Sequence, residues 1–237
     1  MYKTEGIILR NTGVKDKDVI LTILTKDFGK KNIYVRSYLD PKTKYFGRLE
    51  VPSHIEFMFI KRKNSTYLLT GLEQIRGFCD MFYNPYLYTL FSIGSEVTLK
   101  MLPYEERNEL IYKWFKWFLY FLNSKKMEEY LAVYLIRFLY LSGFFPIKNR
   151  CGKCGKKNPL YFTVSGLEIF CIDCVKDGKR FYPSYVLEYI KRMFEKDFLK
   201  KIQFKGIKEV IDFLILFIEE IVEEKILSYR VLATVGK

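Results

Sequence analysis

The 237-residue chain contains a single histidine, His54, which excludes a multi-histidine metal centre, and nothing around it in the sequence makes a paired acid–base constellation. Beside the apolar run Ile55 to Ile60, that histidine reads as a surface or strand-edge residue. Phosphate and cofactor motifs are missing too: there is no G-x-x-x-x-G-K-[ST], no glycine-rich dinucleotide loop and no H-E-x-x-H. Asp16 and Asp18 lie close together in a turn-like stretch, but a two-metal site needs further ligands converging from elsewhere. No residue nominates an active site, and the chain is expected not to be an enzyme. No apolar run reaches the ~20 residues of a membrane span. The strongest, Val210 to Ile218, is interrupted by Asp212 and followed by Glu219, Glu220, Glu223 and Glu224. The opening run Gly6 to Leu9 is too short for the apolar part of a secretory signal, so a cytoplasmic location without a membrane is expected.

What the chain has in quantity is apolar and basic side chains. Apolar residues make up 49%, enough for a substantial core, and aromatics reach 18% through 19 Tyr and 21 Phe. Lys and Arg number 40 against 27 Asp and Glu, a net charge of +13 that favours polyanionic partners.

The hydrophobic pattern changes character along the chain. Gly6–Arg10, Val19–Leu24, Asn32–Arg36, Ile55–Ile60 and Thr66–Thr70 read as short strands, separated by the polar gap Asn11–Asp18, the turn at Asp27–Lys30 and a basic turn at Lys61–Ser65. Five strands in under 80 residues predict a small barrel, because closure removes exposed sheet edges. An OB-fold fits best by count and size, and patterning leaves an SH3-like barrel open. From Pro85 apolar residues recur at three- and four-residue steps. Helices are expected from Pro85 to Pro103, over 104–122, from Met127 to Leu141, from Pro183 to about Lys196, and from Gly206 to about Ser228. The fold class is therefore α+β. An N-terminal OB-fold barrel over 1–80 precedes an all-helical domain over 81–237, with a cysteine-bearing insert at about 148–180.

That insert carries the strongest chemical signal. Cys151, Cys154, Cys171 and Cys174 form C-x2-C-x16-C-x2-C. Two residues between cysteines let both thiolates of a knuckle reach one ion, and two knuckles complete a tetrahedron. One structural Zn2+ is expected, with no open position for catalysis. The intervening Tyr161–Thr163 and Leu167–Phe170 look like a hairpin turned at Ser165-Gly166. Lys153, Lys156, Lys157, Lys176, Lys179 and Arg180 surround the site, as either a solvated face or a DNA contact. Cys79, outside the motif, reads as a buried apolar-like side chain.

A second signal lies in residues 26–48. Lys26, Lys30, Lys31, Arg36, Lys42, Lys44 and Arg48 outnumber Asp27 and Asp40, and Tyr34, Tyr38, Tyr45 and Phe46 are interleaved with them. Cationic side chains neutralise phosphates while aromatic faces stack on bases. The stretch Ser37 to Gly47, rich in turn residues, reads as a loop or barrel rim.

The order of these features resembles the bacterial recombination mediator RecO family of DNA repair proteins. The resemblance rests on Thr4–Arg10, Asp18-Val19-Ile20, Leu24-Thr25 and Gly29-Lys30 at the start. It continues with Leu141–Pro146 ahead of Cys151, then Cys154-Gly155, Tyr161-Phe162, Gly166-Leu167, Cys171 and Cys174. Near the end come Ile226–Leu232. The family often has a Lys-Gly-Arg-like step after the third strand, where this chain has Val35-Arg36-Ser37-Tyr38, and zinc cysteines are not universal in it. The resemblance implies binding of single- and double-stranded DNA and annealing of complementary strands. It also implies work with RecR to help RecA replace single-stranded-DNA-binding protein, whose tail family members also bind. Applied to this chain, Lys30, Lys31, Arg36, Lys42, Lys44 and Arg48, with Arg10 as a weaker candidate, would position phosphates, and Tyr34 or Tyr38 would stack on bases. Another nucleic-acid-binding accessory protein, for RNA or transcription, and a protein-interaction adaptor are the alternative readings.

Overall fold

The computed structural model describes residues 1–15, 17–63, 66–144, 150–165, 168–175, 180–192 and 206–235. Asp16, the Asn64-Ser65 end of the basic turn, Phe145-Pro146, Gly166-Leu167, Lys176, Lys179 and the 193–196 end of the fourth expected helix lie outside them. The chain divides into two compact units, residues 1–88 with 98–116, and residues 89–97 with 117–237.

The first unit is built on a closed barrel of β1 (Tyr2–Lys15), β2 (Asp18–Thr25), β3 (Gly29–Val35), β4 (Ser53–Lys61) and β5 (Tyr67–Gly77), in the order β1-β2-β3-β5-β4. Four of the five pairings are antiparallel, and β3 with β5 is parallel. This Greek-key closure is of the OB-fold type rather than a simple meander. The expected polar gap after Arg10 is instead strand: Asn11 to Gly13 pair with Leu21, Ile20 and Val19, and Lys15 with Asp18. Polar residues are accommodated there because this arm of the hairpin carries no part of the core: Asn11, Thr12, Gly13 and Val14 are all exposed. The interior is filled by Ile8, Leu21, Ile23, Ile33, Val35, Ile55, Phe57 and Phe59, all essentially inaccessible. Full burial of such side chains contributes about 1.5–3 kcal/mol each.

α1 (Pro85–Met101) starts where Asn84 accepts a hydrogen bond from the Leu87 N–H, with Pro85 needing no partner for a missing N–H. α2 (Glu109–Phe121) starts later than its aromatic pattern suggests, since Asn108 caps it through the Ile111 N–H. Residues 104–106 are engaged at the barrel instead: the Glu105 N–H donates to the Lys30 carbonyl, and Tyr104 forms a bridge with Lys30. Gly29, at φ +67°, is needed at this corner, because a Cβ would sit 2.2 Å from the Glu106 carbonyl oxygen.

In the second unit α3 (Met127–Leu141) is buried along most of its length and packs on α5 (Ile207–Val222), which also packs on α4 (Tyr185–Arg192). The single long C-terminal helix of the sequence expectation is two helices. Glu223 takes a left-handed conformation, and α6 (Leu227–Val235) follows. Glu219, Glu220, Glu223 and Glu224 crowd the negative end of the α5 dipole, which disfavours continuation. A small sheet, ordered β7-β6-β8, joins β6 (Tyr161–Ser165), β7 (Glu168–Cys171) and β8 (Tyr182–Pro183). No helix among the described residues is long and apolar enough to cross a membrane.

Candidate nucleic-acid interface and metal centre

The connection between β3 and β4 wraps itself into successive turns. The N–H groups of Asp40, Thr43, Phe46 and Arg48 each donate to the carbonyl three residues earlier. Apolar side chains pin this irregular stretch to the barrel: Tyr38 and Leu49 enter the same core cluster as the strand residues, and Tyr45 and Val51 pack against it. Polar ties add to the anchoring. The Ser37 N–H donates to Asp18 at 2.7 Å, and Lys17 pairs with Asp40 at 2.9 Å. With the apolar anchors turned inward, Arg36, Lys42, Lys44 and Arg48 are left exposed together with Phe46. Lys44 spans 5.1 Å to the Tyr45 ring and 3.5 Å to the Thr70 carbonyl.

Tyr34 lies half-buried on the outer face of β3, opposite Ile20. Its hydroxyl donates to Asp18, which raises the phenol pKa. Asp18 in turn is held below the usual carboxylate range by the Ser37 N–H and the Tyr34 hydroxyl. Both Arg36 and Arg62 lie close enough to Tyr34 to oppose its upward shift. Arg62 and the exposed Lys63 belong to the β4–β5 turn and were not singled out from sequence. The signal was available once the barrel was recognised, because ligand faces of this fold combine strands two and three with that turn. Arg10 is exposed and sits opposite Thr22, whose hydroxyl donates to Asn32 across the β2–β3 pair.

Three residues expected at the interface are inside instead. Lys30 is 2% exposed, with its amine 2.6 Å from the Leu99 carbonyl and 4.2 Å from the centre of the Tyr104 ring. Burial, with a smaller contribution from Arg10, lowers its pKa to about 8. Lys31 is 6% exposed, paired with Glu105 at 3.3 Å and placed 4.0 Å over the Tyr67 ring. Tyr38 is 8% exposed as a core anchor. The reason is shared by the two lysines: residues 104–106 cover the start of β3, so both faces of that strand are buried where alternation alone predicts one open face.

His54 is also inside, at 1% exposure, against the surface expectation. It lies on β4, bonded to the Tyr112 hydroxyl at 3.1 Å and 3.4 Å from Glu5. Burial and Lys116 depress its pKa, so the neutral form is favoured. Cys79, expected to be buried, is exposed in the short 3-10 turn Cys79–Tyr83, where Phe78 takes the inward position instead.

The four cysteines of the insert converge. Their sulfurs all lie within 4.8 Å of one another, and among the described residues no histidine or carboxylate joins the group. Each knuckle is shaped by backbone bonds. The Gly155 N–H reaches the Cys151 carbonyl at 2.9 Å, and the Cys174 N–H reaches the Cys171 carbonyl at 3.0 Å. The Gly152 N–H donates to Ile169, tying the first knuckle to β7. The Cys171 N–H points at the Cys151 sulfur from 3.4 Å, and Cys154 and Cys171 sulfurs are 3.7 Å apart. A tetrahedron of Zn–S bonds of about 2.3 Å has edges of about 3.8 Å, so the spacing suits that ion. Charge points the same way. Burial raises the Cys151 pKa, but the N–H groups of Cys154, Cys171 and Lys153 outweigh it and bring the thiol down to about 6. Cys174, bonded to the Cys171 and Cys154 sulfurs, is pushed up to about 12. Negative charge accumulating in so small a volume opposes further ionisation, and a divalent cation removes that opposition. The expected hairpin is present as β6 paired with β7, Phe162 opposite Cys171. Around it Lys153 and Lys157 are exposed, Lys156 pairs with Asp173, and Arg180 pairs with Asp212.

Two family models match this chain. One, described as Recombination protein O N terminal, covers residues 1–78, and the other, Recombination protein O C terminal, covers residues 83–230. The chain is similar to the DNA repair protein RecO of Caldanaerobacter subterraneus subsp. tengcongensis, with 29% identity over 221 residues, 89% of this chain and 88% of that relative. It is 27% identical over 174 residues to the DNA repair protein RecO of Thermodesulfovibrio yellowstonii, covering 73% and 70%. Identity to that of Streptomyces avermitilis is 27% over 188 residues, covering 75% and 76%.

Proposed function

The chain belongs to the recombination protein O family, and from that premise we propose that it binds single- and double-stranded DNA on the barrel and anneals complementary strands without making or breaking a bond. One observation carries this reading: Arg36, Lys42, Lys44 and Arg48 are exposed on and beside a loop that Tyr38 and Leu49 anchor in the barrel core. Arg62, which lies with Arg36 beside Tyr34, and the exposed Arg10 and Lys63 are further candidates. Lys30, Lys31 and Tyr38 are left out of it because they are buried. The half-buried Tyr34 and the exposed Phe46 are the stacking candidates.

Annealing requires two polyanions to approach. A chain at +13 lowers their repulsion by displacing counterions, while aromatic contacts that are tolerant of sequence leave pairing edges free. Cys151, Cys154, Cys171 and Cys174 would hold one Zn2+, which supplies cross-linking of the insert and leaves no position for a reacting group. Residues 1–80 then serve as the DNA-binding domain and 81–237 as the helical domain. RecR, RecA and the tail of single-stranded-DNA-binding protein are the proposed partners, in the cytoplasm at the nucleoid.

Acceleration of oligonucleotide annealing, followed against salt, tests the reading. Strong acceleration at low salt that fades as salt rises is expected, and none at low salt overturns it. Charge reversal of Lys42, Lys44 and Arg48 to Glu should shrink the log–log salt slope for single-stranded DNA by about 2, at about 0.7 per lost phosphate contact. RNA annealed as well as DNA would favour the RNA-binding alternative.

A further inference from the structure

α6 is held in an unusual way for a terminal helix. None of its residues is buried, and Leu227 and Val231 are 62% and 48% exposed. Hydrophobic packing therefore contributes little to keeping it in place. Carboxylates hold it instead, beside the buried Ile226 that precedes it and donates its N–H to Glu219 at 2.9 Å. Glu96, on α1, accepts the N–H groups of Leu227 at 3.0 Å and Ser228 at 2.8 Å, together with the Ser228 hydroxyl at 2.6 Å. Asp212, on α5, accepts the Tyr229 hydroxyl at 2.8 Å.

Asp212 does not serve α6 alone. Its other donors come from the cysteine insert: the Arg180 guanidinium at 2.8 Å and the Tyr182 hydroxyl at 2.5 Å. Only 13% of the Asp212 side chain is exposed, so its charge depends on these three donors. Tyr182 is β8, paired with Phe162 on β6, and Phe162 faces Cys171 across the next pairing. The rings of Phe162 and Tyr182 meet Phe213, the neighbour of Asp212, edge-on at 5.3 and 5.4 Å. A continuous packed route thus runs from a cysteine of the insert to the carboxylate that holds the last helix.

We infer that order in the four-cysteine insert holds the C-terminal helix in place, with Asp212 as the shared element, so that opening the insert releases α6. An open insert withdraws Arg180 and Tyr182, leaves Asp212 short of donors, and frees the carboxylate to turn toward solvent and away from Tyr229. The inference goes beyond DNA binding and concerns order rather than the identity of the ion. Metal content and helix release are separate measurements, so the metal reading and this one fail separately.

Amide hydrogen exchange on the full chain tests it, read at α6, at residues 161–171 and at α3 as a reference. Cys151→Ser with Cys154→Ser should speed exchange in both the insert and α6, the latter by about tenfold, the scale of one hydrogen bond to a charged group, with α3 unchanged. Tyr229→Phe should speed α6 by a similar factor and leave the insert alone. Combined, the two changes should fall well short of the product of their separate effects, because they break one linkage. Should the double serine variant unfold throughout, α3 exchange will rise with it, and Tyr182→Phe then decides: faster α6 exchange supports the linkage. An α6 that keeps its exchange rate in Tyr182→Phe, or while the insert alone opens, overturns it, as do effects that simply multiply.

Discussion

The β3–β4 loop and the four-cysteine insert both hold irregular chain in a fixed shape, by opposite means. The loop is anchored from below: Tyr38 and Leu49 sit in a barrel core that exists for other reasons, and turn bonds fill in the rest. The insert joins β6, β7, β8 and two knuckles, and beside the packing of Phe162 and Tyr182 on Phe213 its closure draws on four sulfurs in one small volume. A loop borrowing a core presents its charges whatever the solution contains. An insert closed through converging thiols is conditional on the state of those thiols. In this chain the proposed DNA surface lies on the unconditional region, and the conditional one packs toward Asp212.

The largest effect that would sharpen this contrast is loss of the ligand set. Replacing Cys151 and Cys154 by serine should abolish stoichiometric zinc, because structural sites of this kind bind with apparent energies of about 10–16 kcal/mol that two missing thiolates remove. Metal analysis of the purified chain, beside circular dichroism of the barrel, is the check. Retention of one zinc per chain would falsify the ligand assignment. A barrel that melts together with the insert would break the contrast itself.

The mirror-image change acts on the loop. Leu49 is fully buried in the barrel cluster, so Leu49→Ala should cost about 2–5 kcal/mol in barrel stability. It should also raise loop mobility and weaken DNA binding, while zinc content stays at one. Denaturant unfolding with zinc measured in parallel separates the two. An unaffected barrel would mean the loop is not anchored by this side chain.

How far each region could be read in advance follows from the same difference. Four cysteines at fixed spacing describe the cluster almost completely, since two-residue knuckles bring the sulfurs together and the sequence shows all four. The barrel was legible as strand count and size, from runs such as Val19–Leu24 and Ile55–Ile60. Its strand order needed the parallel pairing of Ile33 with Tyr67, which no local pattern encodes. Exposure of individual cations was not legible at all. Lys30 and Arg36 look equivalent in sequence, yet one is buried because Tyr104 and Glu105, distant in the chain, cover β3. His54 was misjudged for a similar reason, its partners Tyr112 and Glu5 being far away in sequence. Arg62 was visible but unremarked until barrel closure gave its turn a role.

The smallest effect concerns Lys30 and asks whether a buried cation belongs to the fold or to the interface. Its pKa in the folded chain is lowered to about 8, chiefly by burial, from an ordinary value of 10.5. Between those values the unfolded chain binds the proton more readily than the folded one, so stability attributable to Lys30 rises as pH climbs from about 8 toward 10.5. Below pH 8 both states are protonated and the buried charge is a standing cost. Lys30→Met keeps the stem and removes the charge. The difference in unfolding free energy between the variant and the parent should therefore favour the variant most below pH 8 and shrink as pH rises through the window. DNA affinity at neutral pH should change little, in contrast to the loop cations. A difference flat with pH would mean that the Leu99 carbonyl and the Tyr104 ring stabilise the ammonium as well as water does. Affinity lost as steeply as on reversing Lys42 or Lys44 would return Lys30 to the DNA surface, and with it the boundary between what the barrel keeps for itself and what it offers to a strand.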